Sequence, residues 1–249
     1  MRVLAVLPTY NEGDNIEWIL KELLALDINV DAIVIDDSSP DGTADKARKA
    51  GPPERVRVEV RPGKLGMGSA QRAGMAAGVK GGYDRVLVMD ADGSHAPESA
   101  PDLVAATEEY DVAIGSRYIP GGEVVNWAWY RRFLSKGANT MARLVLGREV
   151  RDWTSSFRCY RTEMLKALPL DKFRSDGYAF AEEMLFECRF NGCTTTEVPI
   201  VFVERRAGRS KIDRREVLAA VWRLFAMGIK RAVAAMGSRG SRGLRGSRG

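Results

Sequence analysis

Asp90 and Asp92 stand one residue apart at the end of the apolar run Val86-Leu-Val-Met89. In an extended segment, residues i and i+2 point to the same side. Two carboxylates placed so at the end of a buried strand repel each other and lose hydration. A divalent cation relieves both problems. Ligation by oxygen alone suits Mg2+ or Mn2+, which keep water ligands and bind substrate phosphates. The pair therefore predicts a metal–diphosphate site at the mouth of a sheet.

Two further apolar runs also end in acids: Val3 to Leu7 leads to Glu12, and Ala32-Ile-Val-Ile35 leads directly to Asp36-Asp37. A nucleotide suits such a rim, because ribose hydroxyls and base N–H groups donate to carboxylates. Arg117, in Gly115-Ser-Arg-Tyr118, follows the next strand-like run; facing a diphosphate it would help neutralise a leaving group, and otherwise it is a surface arginine. Arg131, Ser135 and Asn139 recur at helical spacing and share a face, either an ordinary polar face or a clamp for an acceptor phosphate. Trp127 and Trp129 precede them, and two loop tryptophans are explained by a greasy ligand or a membrane interface. Glu204-Arg-Arg-Ala-Gly-Arg-Ser-Lys211 reads as a solvated charge run or as an anion-wrapping loop. Gly63-Lys-Leu-Gly-Met-Gly68 matches neither the dinucleotide nor the Walker pattern and reads as a tight turn with close helix packing. His95, the one histidine, reads as a general base or, in preference, as structural beside the acidic loop.

These groups need a scaffold. Apolar runs at 3–7, 32–35, 56–60, 85–89 and 112–115 predict strands, and helical periodicity or small-residue patterning at 15–26, 43–50, 68–79 and 97–109 predicts helices between them. Such alternation predicts an α/β fold, a doubly wound, mostly parallel sheet flanked by helices, with ligands outside the carboxyl ends of the strands. Beyond a loop over 118–129, a helix is expected at 130–146 and one strand at 197–204. Over 214–236 a helix is expected whose Glu216, Arg223 and Lys230 line one face of an otherwise apolar surface. The Gly/Ser/Arg tail at 237–249 has the composition of a disordered segment.

Bulk properties agree with a globular domain. The chain has 249 residues, 45% hydrophobic and 29% charged, with a net charge of +5. Three cysteines (Cys159, Cys188, Cys193) imply no disulfide framework, so a reducing, cytoplasmic setting is expected. The first eight residues read as a strand rather than a signal peptide, and no run of about 18 apolar residues predicts a membrane span. The acidic rim argues against a nucleic-acid partner, while the basic C-terminal end suits an anionic leaflet.

As an ordered set, Pro8-Thr-Tyr-Asn-Glu12, Asp36-Asp-Ser-Ser-Pro-Asp-Gly-Thr43, Met89-Asp-Ala-Asp-Gly-Ser-His95 and Gly115-Ser-Arg-Tyr118 resemble glycosyltransferase family two, with its GT-A fold. Trp129-Tyr-Arg-Arg-Phe-Leu-Ser-Lys-Gly-Ala-Asn139, Asp152-Trp-Thr-Ser-Ser-Phe-Arg158, Gly177-Tyr-Ala-Phe-Ala-Glu-Glu183 and the 198–211 segment are similar, more narrowly, to the dolichol-phosphate (polyprenyl-phosphate) mannose synthases within it. The likeness spans about residues 1–213. Two positions depart from the pattern: Ser155 stands where the family often has Gly, and some members carry Gln at the Ser94 position.

The resemblance implies an inverting transfer of mannose from GDP-mannose to a polyprenyl (dolichyl) monophosphate with Mg2+ or Mn2+ as cofactor. It implies that Pro8, Tyr10, Glu12, Ile35 and Asp37 hold the nucleoside. Asp90, Ala91 and Asp92 would contact the donor, with the metal at Asp90, Asp92 and Ser94. Arg117, Arg205 and Lys211 would bind the diphosphate, and Arg131 and Ser135 the lipid phosphate, leaving Asp92, Arg117 and Arg131 as the catalytic set. Residues 1–117 would form the nucleotide-sugar half and 118–213 the acceptor half of one GT-A domain. The 214–236 helix would lie on the membrane or pack on the domain, and the enzyme would sit peripherally on the cytoplasmic face, with or without a small membrane-anchoring protein. Other readings are a family-two enzyme using UDP-glucose or another sugar nucleotide, and a non-catalytic nucleotide- or RNA-binding domain.

Overall fold

The computed structural model describes residues 1–173, 175, 177, 179–204 and 222–233. In chain order the elements are β1 (Val3–Thr9), α1 (Ile16–Ala25), β2 (Val30–Asp36), α2 (Thr43–Lys49), β3 (Val56–Val60), α3 (Met67–Lys80), β4 (Arg85–Val88), α4 (Ala100–Ala106), β5 (Val112–Ser116), β6 (Glu123–Val125), α5 (Trp129–Leu146), β7 (Arg158–Arg161), α6 (Thr162–Ala167), α7 (Ala179–Phe190), β8 (Thr195–Pro199) and β9 (Val201–Val203). A last helix, α8, covers 222–233.

Seven strands form one sheet in the order β3-β2-β1-β4-β7-β5-β8, and β6 pairs with β9 in a small second sheet. All neighbours in the large sheet run parallel except β7, which is antiparallel to both β4 and β5. The strands of the first half are apolar on both sides because both faces are covered. Leu4 and Val6 of β1 join the core beneath α3, α7 and the inner side of α5, while Val3, Ala5 and Leu7 join the core beneath α1, α2 and α4. Helix α3 lies close on the sheet because it offers glycine there: a Cβ at Gly74 would overlap Val6, and one at Gly78 would come within 2.5 Å of Val86.

Three features differ from the sequence reading. The strand expected over 197–204 breaks at Pro199, which has no N–H to continue a ladder: β8 stays in the large sheet and β9 joins the small one. Pro97–Ser99 forms a 3-10 turn before α4, and that helix ends at Ala106, where the Thr107 hydroxyl turns back to the Val104 carbonyl. Strand β7 has no apolar run, yet it fills the gap between β4 and β5 with Arg158 fully buried.

Within the 214–236 stretch, the described part packs on the domain. Leu224 and Met227 enter the core, Lys230 Nζ donates to Glu187 of α7 at 2.7 Å, and Arg231 donates to the Val145 carbonyl of α5. Trp222, Phe225, Ile229 and Val233 of the same helix are exposed. Residues 214–221 and the 237–249 tail lie outside the described residues. Among the described residues no helix is long and apolar enough to cross a membrane.

Candidate active site

A cavity opens at the carboxyl ends of β1, β2 and β4. It is lined by Pro8, Thr9, Tyr10 and Glu12 after β1, by Asp37 after β2, by Asp90, Ala91 and Asp92 after β4, and by Lys64, Gly66, Met67, Ala70 and Gly177. Of the predicted nucleotide and metal residues, Pro8, Tyr10, Glu12, Asp37, Asp90, Ala91 and Asp92 line this one space, whereas Ser94, buried against Asp92, and Arg117, turned to Asp152, do not. Ile35 is fully buried in the core and supports the cavity from behind instead of lining it. Arg205 and Lys211 lie outside the described residues.

The adjacent acids of β2 serve different partners. Asp36 accepts from the Thr9 hydroxyl at 2.9 Å and from Ser39, which ties β2 to β1 and shapes the next turn. Asp37 accepts from Arg61 Nε at 2.5 Å and from the amides of Leu65 and Gly66 at 3.0 and 2.9 Å. It therefore organises the 63–68 glycine turn and brings Lys64 and Gly66 to the cavity. Beyond the tight turn and close helix packing expected of it, this segment turns two backbone amides to a carboxylate.

The Asp90–His95 loop is held from within. Asp92 Oδ1 accepts the Ser94 amide at 3.0 Å and the Ser94 hydroxyl at 2.6 Å. Gly93 takes φ +79°, which permits this tight return. The Asp90 amide donates to His95 Nδ1 at 2.9 Å, so the neutral ring carries its proton on Nε2, 4.0 Å from Asp90 Oδ2. Asp90 also accepts from the Ser156 hydroxyl at 3.1 Å. His95 stacks on Phe157 with ring centroids 4.8 Å apart and meets the edge of Phe202 in β9. Burial keeps its pKa below the usual imidazole value even though Asp90 and Asp92 pull the other way. The histidine is thus a packed strut between the acidic loop and the small sheet.

Arg117, at the end of β5, is buried and points to Asp152. Its Nε and Nη2 donate to the two carboxylate oxygens, each at 2.7 Å, and its amide donates to Oδ2 at 3.0 Å. Asn139 of α5, grouped by spacing with Arg131 and Ser135, is also buried and clasps this loop: Nδ2 donates to Asp152 at 3.1 Å and Oδ1 accepts the Trp153 amide at 2.9 Å. Arg131 and Ser135 lie nearer the surface. Arg131 Nη1 donates to Glu204 at 2.5 Å and stacks 4.8 Å from the Trp127 ring centroid, while Ser135 shares a 2.8 Å hydrogen bond with Tyr118. Glu182 of α7 is pushed up to about 7 by burial, with Arg158 pulling it down and Asp152 adding to the rise. Neither Asp152 nor Glu182 is singled out by its own position: Asp152 is an acid beside Arg151 in a mixed segment, and Glu182 stands next to Glu183 with nothing local to mark which of the two is buried.

A doubly wound sheet with a two-stranded appendage and an Asp-x-Asp loop at its carboxyl rim is the architecture of a GT-A glycosyltransferase. The chain belongs to glycosyl transferase family 2, whose model matches residues 4–168. It is 42% identical over 233 residues (92% of this chain, 88% of the relative) to polyprenol monophosphomannose synthase of Mycolicibacterium smegmatis. It is 41% identical over 230 residues (92% and 95%) to undecaprenyl-phosphate mannosyltransferase of Micrococcus luteus. Against dolichol-phosphate mannosyltransferase of Pyrococcus furiosus the identity is 34% over 232 residues, covering 90% of this chain and 64% of that one. In fold it is similar to glucosyl-3-phosphoglycerate synthase of Mycobacterium tuberculosis, crystallised with Mn2+, UDP and glucosyl-3-phosphoglycerate, at a TM-score of 0.67 and 22% identity over 92% of this chain and 79% of that one.

Proposed function

We propose that this glycosyltransferase moves mannose from GDP-mannose to a polyprenyl monophosphate, inverting the anomeric centre to give polyprenyl-phosphate β-mannose and GDP. The observation that carries the reading is that the acidic loop bordering the cavity is linked through His95, Phe202 and Trp127 to Arg131 of α5, a helix that also bears a row of exposed apolar side chains. A donor with a charged diphosphate and an acceptor with a greasy tail call for those two surfaces side by side. The mannosyltransferase names of the relatives point the same way.

A phosphate monoester has a second pKa of about 6, so the acceptor is already a nucleophilic dianion near neutral pH and needs no strong general base. What remains is positioning and charge management. Asp90 and Asp92, with Ser94 beside them, offer the all-oxygen donor set that suits Mg2+ or Mn2+, and the bonds from Ser94 hold Asp92 in a fixed pose. A divalent ion held there supplies charge neutralisation for the diphosphate. Arg131 exchanges Glu204 for the acceptor phosphate, with Ser135 one turn further along α5 as a second donor. Arg117 holds the 152–154 loop, and Arg205 and Lys211 are the cations proposed for the diphosphate.

The lipid enters from a membrane surface. Trp129, Phe133 and Leu144 of α5 are 80, 72 and 61% exposed, and Trp222 and Ile229 of α8 are 76 and 66% exposed. The two helices touch where Gly228 of α8 meets Val145 of α5, so their apolar faces adjoin. Arg132 and Lys136 interleave on α5, as interfacial helices on anionic leaflets require. The enzyme then works as a peripheral protein on the cytoplasmic face, where free thiols such as Cys159 and Cys188 stay reduced. The deciding assay is transfer of labelled mannose from GDP-mannose to a short polyprenyl phosphate, with and without EDTA. EDTA-sensitive transfer is expected. Transfer from UDP-glucose but not from GDP-mannose would overturn the donor assignment.

A further inference from the structure

The mannose and phosphate ends of the donor account for the β4 side of the cavity, and this leaves Lys64 on the opposite side without a role. Its Nζ lies 4.8 Å from the Tyr10 ring centroid, and both residues line the cavity. The side chain itself is exposed, but the backbone beneath it is not loose. Asp37 receives the amides of the next two residues, Leu65 and Gly66, and Arg61 donates both to Asp37 and to the Gly66 carbonyl. Lys64 is thus an exposed cation on a fixed base, lining the cavity.

Its distance from the acidic loop separates the two possible targets. Lys64 follows β3 and Asp90-Ala-Asp92 follows β4, and the strands between them are β2 and β1. Three strand spacings amount to about 14 Å. A diphosphate anchored at Asp90 and Asp92 therefore lies at one end of the cavity, and the base at the end where Tyr10, Asp37 and Lys64 meet. An ammonium group is a donor with no acceptor capacity. Guanine presents the keto oxygen O6 as an acceptor, whereas adenine presents an amino donor at the same place. On the reading that the donor is a nucleoside-diphosphate sugar, we infer that Lys64 reads its nucleobase, donating to the ring keto oxygen of a 6-oxo purine and rejecting a 6-amino one. A site that must hydrogen-bond its ligand discriminates well against an analogue that cannot accept the bond.

The test is the affinity of the full chain, with Mn2+ present, for GDP, IDP, ADP and inorganic pyrophosphate, measured by calorimetry on wild type, Lys64→Ala and Lys64→Arg. Lys64→Ala should weaken GDP and IDP alike by about ten-fold, the loss of one charge-assisted hydrogen bond. It should leave ADP and pyrophosphate unchanged, and Lys64→Arg should keep most of the preference for oxo bases. A uniform loss across all four ligands would assign Lys64 to the phosphates and overturn the inference, as would unchanged GDP binding. Wild-type protein that binds none of the nucleotides would defeat the proposed donor class itself, a result distinct from either of those.

Discussion

Arg117 and Asp152 form a buried pair in which both carboxylate oxygens are engaged by one guanidinium, 35 residues apart in sequence. Burial by itself would raise the Asp152 pKa, but the Arg117 charge and its bonds outweigh that and hold the carboxyl below its usual value. The pair joins the end of β5 to the loop that Asn139 clasps from α5.

Breaking that pair should therefore cost both stability and activity. Asp152→Asn leaves a buried guanidinium without its counter-charge, a loss of about 3–5 kcal/mol when one partner of a buried pair is removed. A depressed carboxyl pKa contributes stability above the unfolded value and loses it as pH falls through the folded value. The deficit in urea denaturation should accordingly be full at pH 7 and shrink only in acid below the ordinary carboxylate range. A deficit independent of pH would show that the carboxylate charge is not what matters.

Asp92→Asn keeps an oxygen for the Ser94 bonds while removing the charge. Metal-dependent transfer should fall by about 100-fold or more, with the thermal midpoint little changed. Wild-type turnover at ordinary Mg2+ would remove Asp92 from the metal site.

Arg131→Ala should act on the lipid side. An increase of about ten-fold in the apparent KM for polyprenyl phosphate, or a matching fall in kcat, is expected, with GDP affinity unchanged. Steady-state kinetics at varied acceptor concentration will separate this from a donor-side defect, which would instead weaken GDP.

Membrane binding can be separated from folding because the implicated side chains are exposed. Replacing Trp129 and Phe133 with serine should reduce flotation with anionic vesicles by about ten-fold or more without lowering thermal stability. Equal flotation of variant and wild type would mean that α5 does not enter the interface.

Glu182 offers a test with the opposite sign. Its pKa is pushed up to about 7 from an ordinary 4.5, so ionisation at higher pH favours the unfolded chain. Glu182→Gln should match wild type near pH 4, gain stability progressively between pH 4.5 and 7, and be the more stable protein at pH 8. Thermal melts across that range will check it, and parallel curves would refute a buried, strained carboxyl.

Much of this was legible in the chain alone. The runs that became β1, β2 and β4 are short and apolar on both faces and alternate with helical segments, which together fit covered parallel strands, and their acidic ends forecast where the cavity lies. The glycines of α3 announced close packing, although not that the turn before them would carry Lys64 to the cavity. Periodicity and composition report what a segment needs from its surroundings, and those needs are local.

Which partners meet those needs was decided only in three dimensions. Nothing near Arg117 in sequence names Asp152, nothing in Asp37 names the amides of Leu65 and Gly66, and β7, with arginine at both ends, carries no strand pattern at all. A charged side chain advertises that it requires a counterpart or water, but distant segments supply the counterpart once the sheet has brought them together. The joint apolar face of α5 and α8 has the same origin: each helix alone is ambiguous between packing and display, and their contact settles which residues are covered and which are left outside.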